Sequence, residues 1–191
     1  MLNWPNRITL LRIFSIPVFI ALLLEHKERY NALEFDNLDL LRWSAFGLFI
    51  AAIISDGLDG MIARWKKQKT LLGTILDPVG DKLLLMSATI VLSLPIGLKY
   101  KIPSWLAVGI ISRDIVILLG ALLIYLLMGK LKFLPHYLGK LTTCAQMITI
   151  LLVLIQNKVC VISFYVTFVF TVLSGLNYVY RETKAANLQK I

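Results

Sequence analysis

Apolar residues fall into six blocks along the chain, near 8–24, 40–62, 71–98, 102–128, 141–156 and 159–180, with the charged residues gathered mostly between them. Several blocks reach the roughly 20 residues that a helix needs to cross the hydrocarbon core, and the fifth is the shortest. The pattern predicts an all-α membrane bundle of six transmembrane helices. Composition agrees: 58% of the chain is hydrophobic and 16% charged, where soluble domains carry about 25% charged residues, and the mean hydropathy is +0.78. With 191 residues there is no room for a separate soluble domain, so residues 1–191 read as one membrane domain. Cys144 and Cys160 lie inside apolar blocks and are expected to act as small hydrophobes without a disulfide.

Arg7 and Arg12 precede an apolar run from Ile13 to Leu24, the layout of a secretory signal. The run ends in Leu24-Glu25-His26 with no small-residue cleavage site, so Leu2 to Arg12 reads instead as an N-terminal interfacial helical segment leading into the first span. Basic residues set the orientation. Arg7, Arg12, Arg64, Lys66, Lys67, Lys69, Lys130, Lys132, Lys140, Arg181, Lys184 and Lys190 lie at one set of ends, against Lys27, Arg29, Arg42, Lys99, Lys101 and Lys158 at the other. The richer side is predicted to be cytoplasmic, with both termini inside. Opposite it, Glu25, Glu28, Glu34, Asp36 and Asp39 read as a solvated loop. The net charge of +9 points to an anionic membrane surface and anionic substrates. Nucleic acid is not expected, because no basic helix or aromatic-basic platform stands outside the membrane blocks.

Against this apolar background, four aspartates flank the junction of the second and third blocks, in Asp56-Gly57-Leu58-Asp59-Gly60-Met61-Ile62-Ala63-Arg64 and Gly73-Thr74-Ile75-Leu76-Asp77-Pro78-Val79-Gly80-Asp81. On helices, Asp56 and Asp59 share a face, as do Asp77 and Asp81, so two facing helices would converge four carboxylates. A charged residue in a spanning helix costs roughly 3 kcal/mol on insertion scales, which makes four of them hard to explain as scaffold. Hard oxygen donors with no His or Cys nearby favour Mg²⁺, Mn²⁺ or Ca²⁺ over zinc, and Mg²⁺ is usually held by a few carboxylates together with substrate phosphates. The motif brackets the Arg64–Leu71 stretch at the inner-leaflet boundary, where a lipid headgroup would meet a cytosolic nucleotide. Gly57, Gly60 and Gly73 remove side chains where helices and a flat ligand must approach closely, although small residues serve helix packing alone in many membrane proteins. Arg64 follows Gly60 by one helical turn and is placed to bind a phosphate; its simpler role is one more inside-positive charge. Pro78 disfavours the α conformation at Asp77, and is expected to distort a helix start there and aim that carboxylate.

At these residues the chain resembles the CDP-alcohol phosphatidyltransferase family, whose signature D-x2-D-G-x2-A-R-x8-G-x3-D-x3-D is filled at every position by Asp56, Asp59, Gly60, Ala63, Arg64, Gly73, Asp77 and Asp81. The resemblance continues through Pro5–Arg12, Asp77–Lys82, Ser112-Arg113-Asp114, Gly139–Thr143 and Ser174–Tyr178, nearly the whole chain. Within the family the likeness is to bacterial phosphatidylglycerophosphate synthases, with a second likeness to cardiolipin synthases.

What the resemblance implies is a six-helix enzyme of the bacterial inner membrane, usually a homodimer. It moves a phosphatidyl group from CDP-diacylglycerol to an acceptor hydroxyl, releasing CMP, with Mg²⁺ or Mn²⁺ as cofactor and two ions bound. By the same resemblance Asp56, Asp59 and Asp77 are metal ligands, and Asp81 is the general base and shares a metal. Gly60, Arg64 and Thr70 contact the CDP moiety along with Gly73, and Asn6 and Thr9 close the same pocket. Arg113 and Lys140 become ligands of a phosphate on the acceptor, either glycerol 3-phosphate or phosphatidylglycerol. Glycerol 3-phosphate is the expectation. The chain departs from the phosphatidylglycerophosphate synthase pattern at Asp114 and Thr142, where those enzymes often carry Glu and Lys, and this keeps the cardiolipin synthase alternative open.

Arg113 lies mid-block and cannot easily snorkel; a pair with adjacent Asp114 is disfavoured because consecutive residues diverge, so its partner is expected elsewhere. Trp4, Trp43, Trp65 and Trp105 near block ends read as an aromatic belt, and His26 and His136 as solvated loop residues. Two other function classes explain less. A cation transporter would hold its carboxylates near the midplane with some sign of an internal repeat, and a scaffold would leave the clustered aspartates without stabilisation.

Overall fold

The computed structural model describes the backbone of residues 4–33, 37–66, 71–128 and 137–188, and side-chain surroundings over residues 12–33, 37–55, 80, 82–120 and 137–181. Among these residues the chain is all-helical, with six helices in the order α1 (Trp4–Asn31), α2 (Leu38–Lys66), α3 (Leu71–Ser93), α4 (Ser104–Met128), α5 (Tyr137–Leu154) and α6 (Cys160–Leu188). Each apolar block corresponds to one helix. Three helices have described stretches long and apolar enough to cross a membrane: Leu38–Ser55, Tyr137–Leu154 and Cys160–Arg181. The third block was expected to run to residue 98, but α3 stops at Ser93. Pro95 cannot continue a helix, and Gly97 takes φ +79°, turning the chain toward α4.

Packing follows the helical period. On α2 Ala45, Phe49 and Ala52 point inward, and on α3 Leu84, Leu85, Ala88, Val91 and Leu92 do the same. They share one core with Phe19 and Leu23 of α1, Leu106 and Ile110 of α4, and Ile150 and Val153 of α5. Phe19 and Phe49 join α1 to α2, with ring centroids 5.8 Å apart. Helix α3 is central, touching α1, α4 and α5, while α6 packs on α4 and α5.

The α5–α6 seam is partly polar. Thr149 and Thr167 share a hydrogen bond of 2.8 Å, Thr167 donates to the Ala145 carbonyl at 3.1 Å, and Thr142 donates to the carbonyls of Leu138 and Phe170 at 2.8 and 3.1 Å. In an apolar bundle such hydroxyls must find carbonyls, and by doing so they fix one helix against the next. Against α4, Tyr178 of α6 donates to the Ile117 carbonyl at 3.3 Å, and a Cβ on Gly120 would fall 2.5 Å from the Tyr178 hydroxyl.

Three further sequence expectations change. His26 is not a solvated loop residue: it lies in α1, is 5% exposed, and its Nδ1 donates to the Ile96 carbonyl at 2.9 Å. Helix α1 runs past the apolar block, so its last turns cover the α3–α4 connection. Of the acidic loop, Glu25 and Glu28 belong to α1 and Asp39 to α2, where Glu25 pairs with Arg29 and Asp39 with Arg42, each at 2.7 Å. Helical spacing, which extends beyond the apolar residues, explains both pairs. Finally, α3 starts at Leu71 and includes Asp77 and Pro78, so Pro78 does not mark a helix start. His136 lies outside the described residues. Cys144 and Cys160 are free.

Candidate active site

The signature aspartates lie on two consecutive helices. Asp56 and Asp59 are in the C-terminal part of α2, with Gly60 and Arg64 in the turns that follow; Gly73, Asp77 and Asp81 are in the N-terminal half of α3. Only four residues, 67–70, separate the two helices, so both aspartate pairs belong to adjoining helix ends. Because both segments are helical, the spacings of three and four put each pair on one helical face. Asn6 and Thr9 are in the first turns of α1, which packs against both α2 and α3. The side chains of Asn6, Thr9, Asp56, Asp59, Arg64, Asp77 and Asp81 lie outside the described residues, as does Thr70 altogether.

The surroundings of Arg113 are described in atomic detail. Arg113 is 8% exposed and Asp114 fully buried, next to each other on α4. Contrary to expectation, they pair: Arg113 Nη1 donates to Asp114 Oδ1 at 2.6 Å. Their Cβ atoms diverge, but the long arginine side chain folds back far enough to reach the neighbouring carboxylate. Two further partners come from other helices. Lys82 Nζ of α3 donates to the same Asp114 Oδ1 at 2.5 Å, and Arg113 Nη2 donates to Ser174 Oγ of α6 at 2.6 Å. A Cβ on Gly139 of α5 would lie 3.5 Å from Arg113 Nη2, and one on Gly175 would lie 3.7 Å from Arg113 Cγ. Small residues on two helices therefore flank the buried arginine. Lys140 follows Gly139 in the first turns of α5 and is exposed, so its backbone is brought close to the guanidinium.

In this cluster the buried Asp114 carboxylate joins α4 to α3 through Lys82, and the Arg113 guanidinium joins α4 to α6 through Ser174. Taking Asp114 out of water is costly unless it is paired, and two cations satisfy that need. Within this cluster Asp114 Oδ2 and Arg113 Nε have no hydrogen-bond partner among the described residues. Lys82 and Ser174 had no assigned role in the sequence. The signal for them was a charge or hydroxyl inside an apolar helix, beside Asp81 in one case and within Ser174–Tyr178 in the other. Thr142, a departure from the expected lysine, is fully buried and its hydroxyl bonds to carbonyls of α5 and α6. It is a helix-packing residue.

An all-helical integral membrane protein, with paired carboxylates on adjoining helix ends and a buried guanidinium beyond them, is the class that fold and sequence define. The CDP-alcohol phosphatidyltransferase family model matches residues 2–173, and the chain belongs to that family of enzymes. It is 32% identical over 196 aligned residues, covering 97% of both chains, to a CDP-diacylglycerol–glycerol-3-phosphate 3-phosphatidyltransferase of Bacillus subtilis. A protein of the same name from Wigglesworthia glossinidia brevipalpis is 31% identical over 189 residues, 94% of each chain. A cardiolipin synthase (CMP-forming) of Rattus norvegicus is 36% identical over 119 residues, 60% of this chain and 32% of its own.

Proposed function

We propose that this protein transfers a phosphatidyl group from CDP-diacylglycerol to glycerol 3-phosphate, forming phosphatidylglycerophosphate and releasing CMP. The observation that carries the reading is the complete signature on two consecutive helices, Asp56 and Asp59 on α2 and Asp77 and Asp81 on α3. Full-length similarity to proteins named for this reaction supports the choice of acceptor.

The donor set fits a hard divalent cation: four carboxylates at helical spacing, with no His or Cys in the motif. Mg²⁺ or Mn²⁺, two ions by family resemblance, would be held by Asp56, Asp59, Asp77 and Asp81 and would neutralise the pyrophosphate and the leaving CMP. Gly60 and Gly73 admit the nucleotide close to the backbone, Arg64 pairs with a phosphate, and Asn6, Thr9 and Thr70 complete the CDP pocket. Asp81 accepts the proton of the attacking hydroxyl as its oxygen bonds to the lipid-linked phosphorus and the bond to CMP breaks. Arg113 and Lys140 hold the acceptor phosphate. A carboxylate shared with Lys82 neutralises Arg113 only in part, which leaves the guanidinium attractive to an anion.

The chain works as one domain with six spans in the bacterial inner membrane, with an N-terminal interfacial helical segment, Leu2 to Arg12, leading into the first, and is assembled as a homodimer. Both termini and the active site face the cytoplasm. The second reading, transfer to phosphatidylglycerol, draws on the similarity to the rat cardiolipin synthase. The decisive assay offers purified protein, CDP-diacylglycerol and Mg²⁺ with glycerol 3-phosphate, phosphatidylglycerol, inositol phosphate or serine, reading CMP release. Glycerol 3-phosphate is expected to give the highest rate. CMP release with phosphatidylglycerol alone would replace this reading by the second.

A further inference from the structure

Asp114 is the meeting point of two residues from different helices and different halves of the site. Its Oδ1 accepts from Lys82 of α3 and from Arg113 of α4, while Arg113 is held on its other side by Ser174 of α6. An arginine has four rotatable bonds and gains nothing as a ligand unless its planar fork points the right way. Here Nη1 and Nη2 are each fixed by a hydrogen bond of 2.6 Å, to Asp114 and Ser174, and Gly139 and Gly175 flank the head and stem. Lys82 directly follows Asp81 on α3. The Lys82–Asp114 bond therefore ties the turn that carries the proposed base to the helix that carries the proposed phosphate ligand.

We propose that Asp114 and Lys82 are positioning residues for the acceptor: the shared carboxylate aims the Arg113 guanidinium and sets its distance from the Asp81 turn. This rests on the reading of Arg113 as the acceptor-phosphate ligand. Asp114 touches no reacting atom in this role. Its effect is on where two other groups stand, and small displacements of such groups carry large kinetic costs. The carboxylate, not the bulk of the side chain, is the active feature, because a charged acceptor holds two cations far more strongly than the neutral oxygen of an amide of the same shape.

The test is a double-mutant cycle on CMP release, with glycerol 3-phosphate varied at saturating CDP-diacylglycerol and the reverse. Asp114→Asn and Lys82→Gln are each expected to lower kcat/KM for the acceptor by about tenfold or more while leaving the CDP-diacylglycerol KM within about twofold. Because both act through one contact, the double variant should be no worse than the poorer single one. A purely structural role would instead reduce the amount of folded enzyme and affect both substrates alike. Multiplying losses in the double variant, or an unchanged acceptor kcat/KM in both single ones, overturns the proposal. Lys82 is partly exposed, so Lys82→Gln decides alone if Asp114→Asn does not fold: an unchanged acceptor kcat/KM overturns it. If the wild type uses phosphatidylglycerol instead, the cycle is run on that acceptor with the same criteria. If it uses neither, the acceptor reading falls and takes this proposal with it; an active wild type with an additive cycle removes this proposal alone.

Discussion

The ring of Tyr30, near the end of α1, lies directly over Gly97 in the α3–α4 connection, where a Cβ would come 2.3 Å from Tyr30 Cγ. Gly97 also has φ +79°, a region costly to residues with a Cβ. Gly97→Ala should therefore destabilise the fold by at least the roughly 1–2 kcal/mol of a left-handed residue, with the displaced ring adding to it. The check is thermal unfolding in detergent. In a Tyr30→Ala background the same substitution should cost less, and an equal cost in both backgrounds would show that the ring contact contributes nothing.

Asp56→Asn, Asp59→Asn and Asp77→Asn should each abolish CMP release while the protein still inserts and purifies normally, and excess chelator should do the same to the wild type. The motive is the concentration of carboxylates at one junction. Near wild-type turnover in any of these conditions contradicts the metal assignment.

Asp81→Asn should separate chemistry from binding. General-base catalysis typically contributes about 10² to 10⁴ in rate, so turnover should fall by that order while CDP-diacylglycerol still binds. Loss of nucleotide-lipid binding would make Asp81 chiefly a metal ligand.

Arg113→Ala and Lys140→Ala should raise the acceptor KM or lower acceptor kcat/KM with little change in the lipid KM, and Arg64→Ala should do the reverse. Charge-assisted contacts are worth roughly 1.5–3 kcal/mol, or about ten- to a hundredfold in kcat/KM. Steady-state kinetics on both substrates checks the split.

His26 gives stability a pH dependence. It lies two residues beyond the apolar run ending at Leu24, and burial lowers its pKa from 6.5, against a smaller opposing pull from the Ile96 carbonyl. The unfolded chain therefore binds a proton more readily than the folded one. The contribution is present above pH 6.5 and is lost as pH falls from there through the lower folded value. Unfolding temperatures should drop over that interval in the wild type, and the drop should shrink in His26→Gln.

The helices and the motif were legible in the chain because both are one-dimensional signals. Apolar blocks determine where helices form in a medium that cannot hydrate the backbone, and eight signature residues at set spacing identify the family from Asp56 to Asp81. What pairs with what between helices was decided only by tertiary structure. Spacing argued against an Arg113–Asp114 pair, yet side-chain length overcame the divergence of neighbouring Cβ atoms, and Lys82 and Ser174 joined them from 32 and 61 residues away. His26 looked like a loop residue until the end of α1 was seen covering Ile96. Local sequence determines which segments are helical and where charge sits along them; burial, and with it the cost of leaving a charge or hydroxyl unpaired, depends on which helices come together.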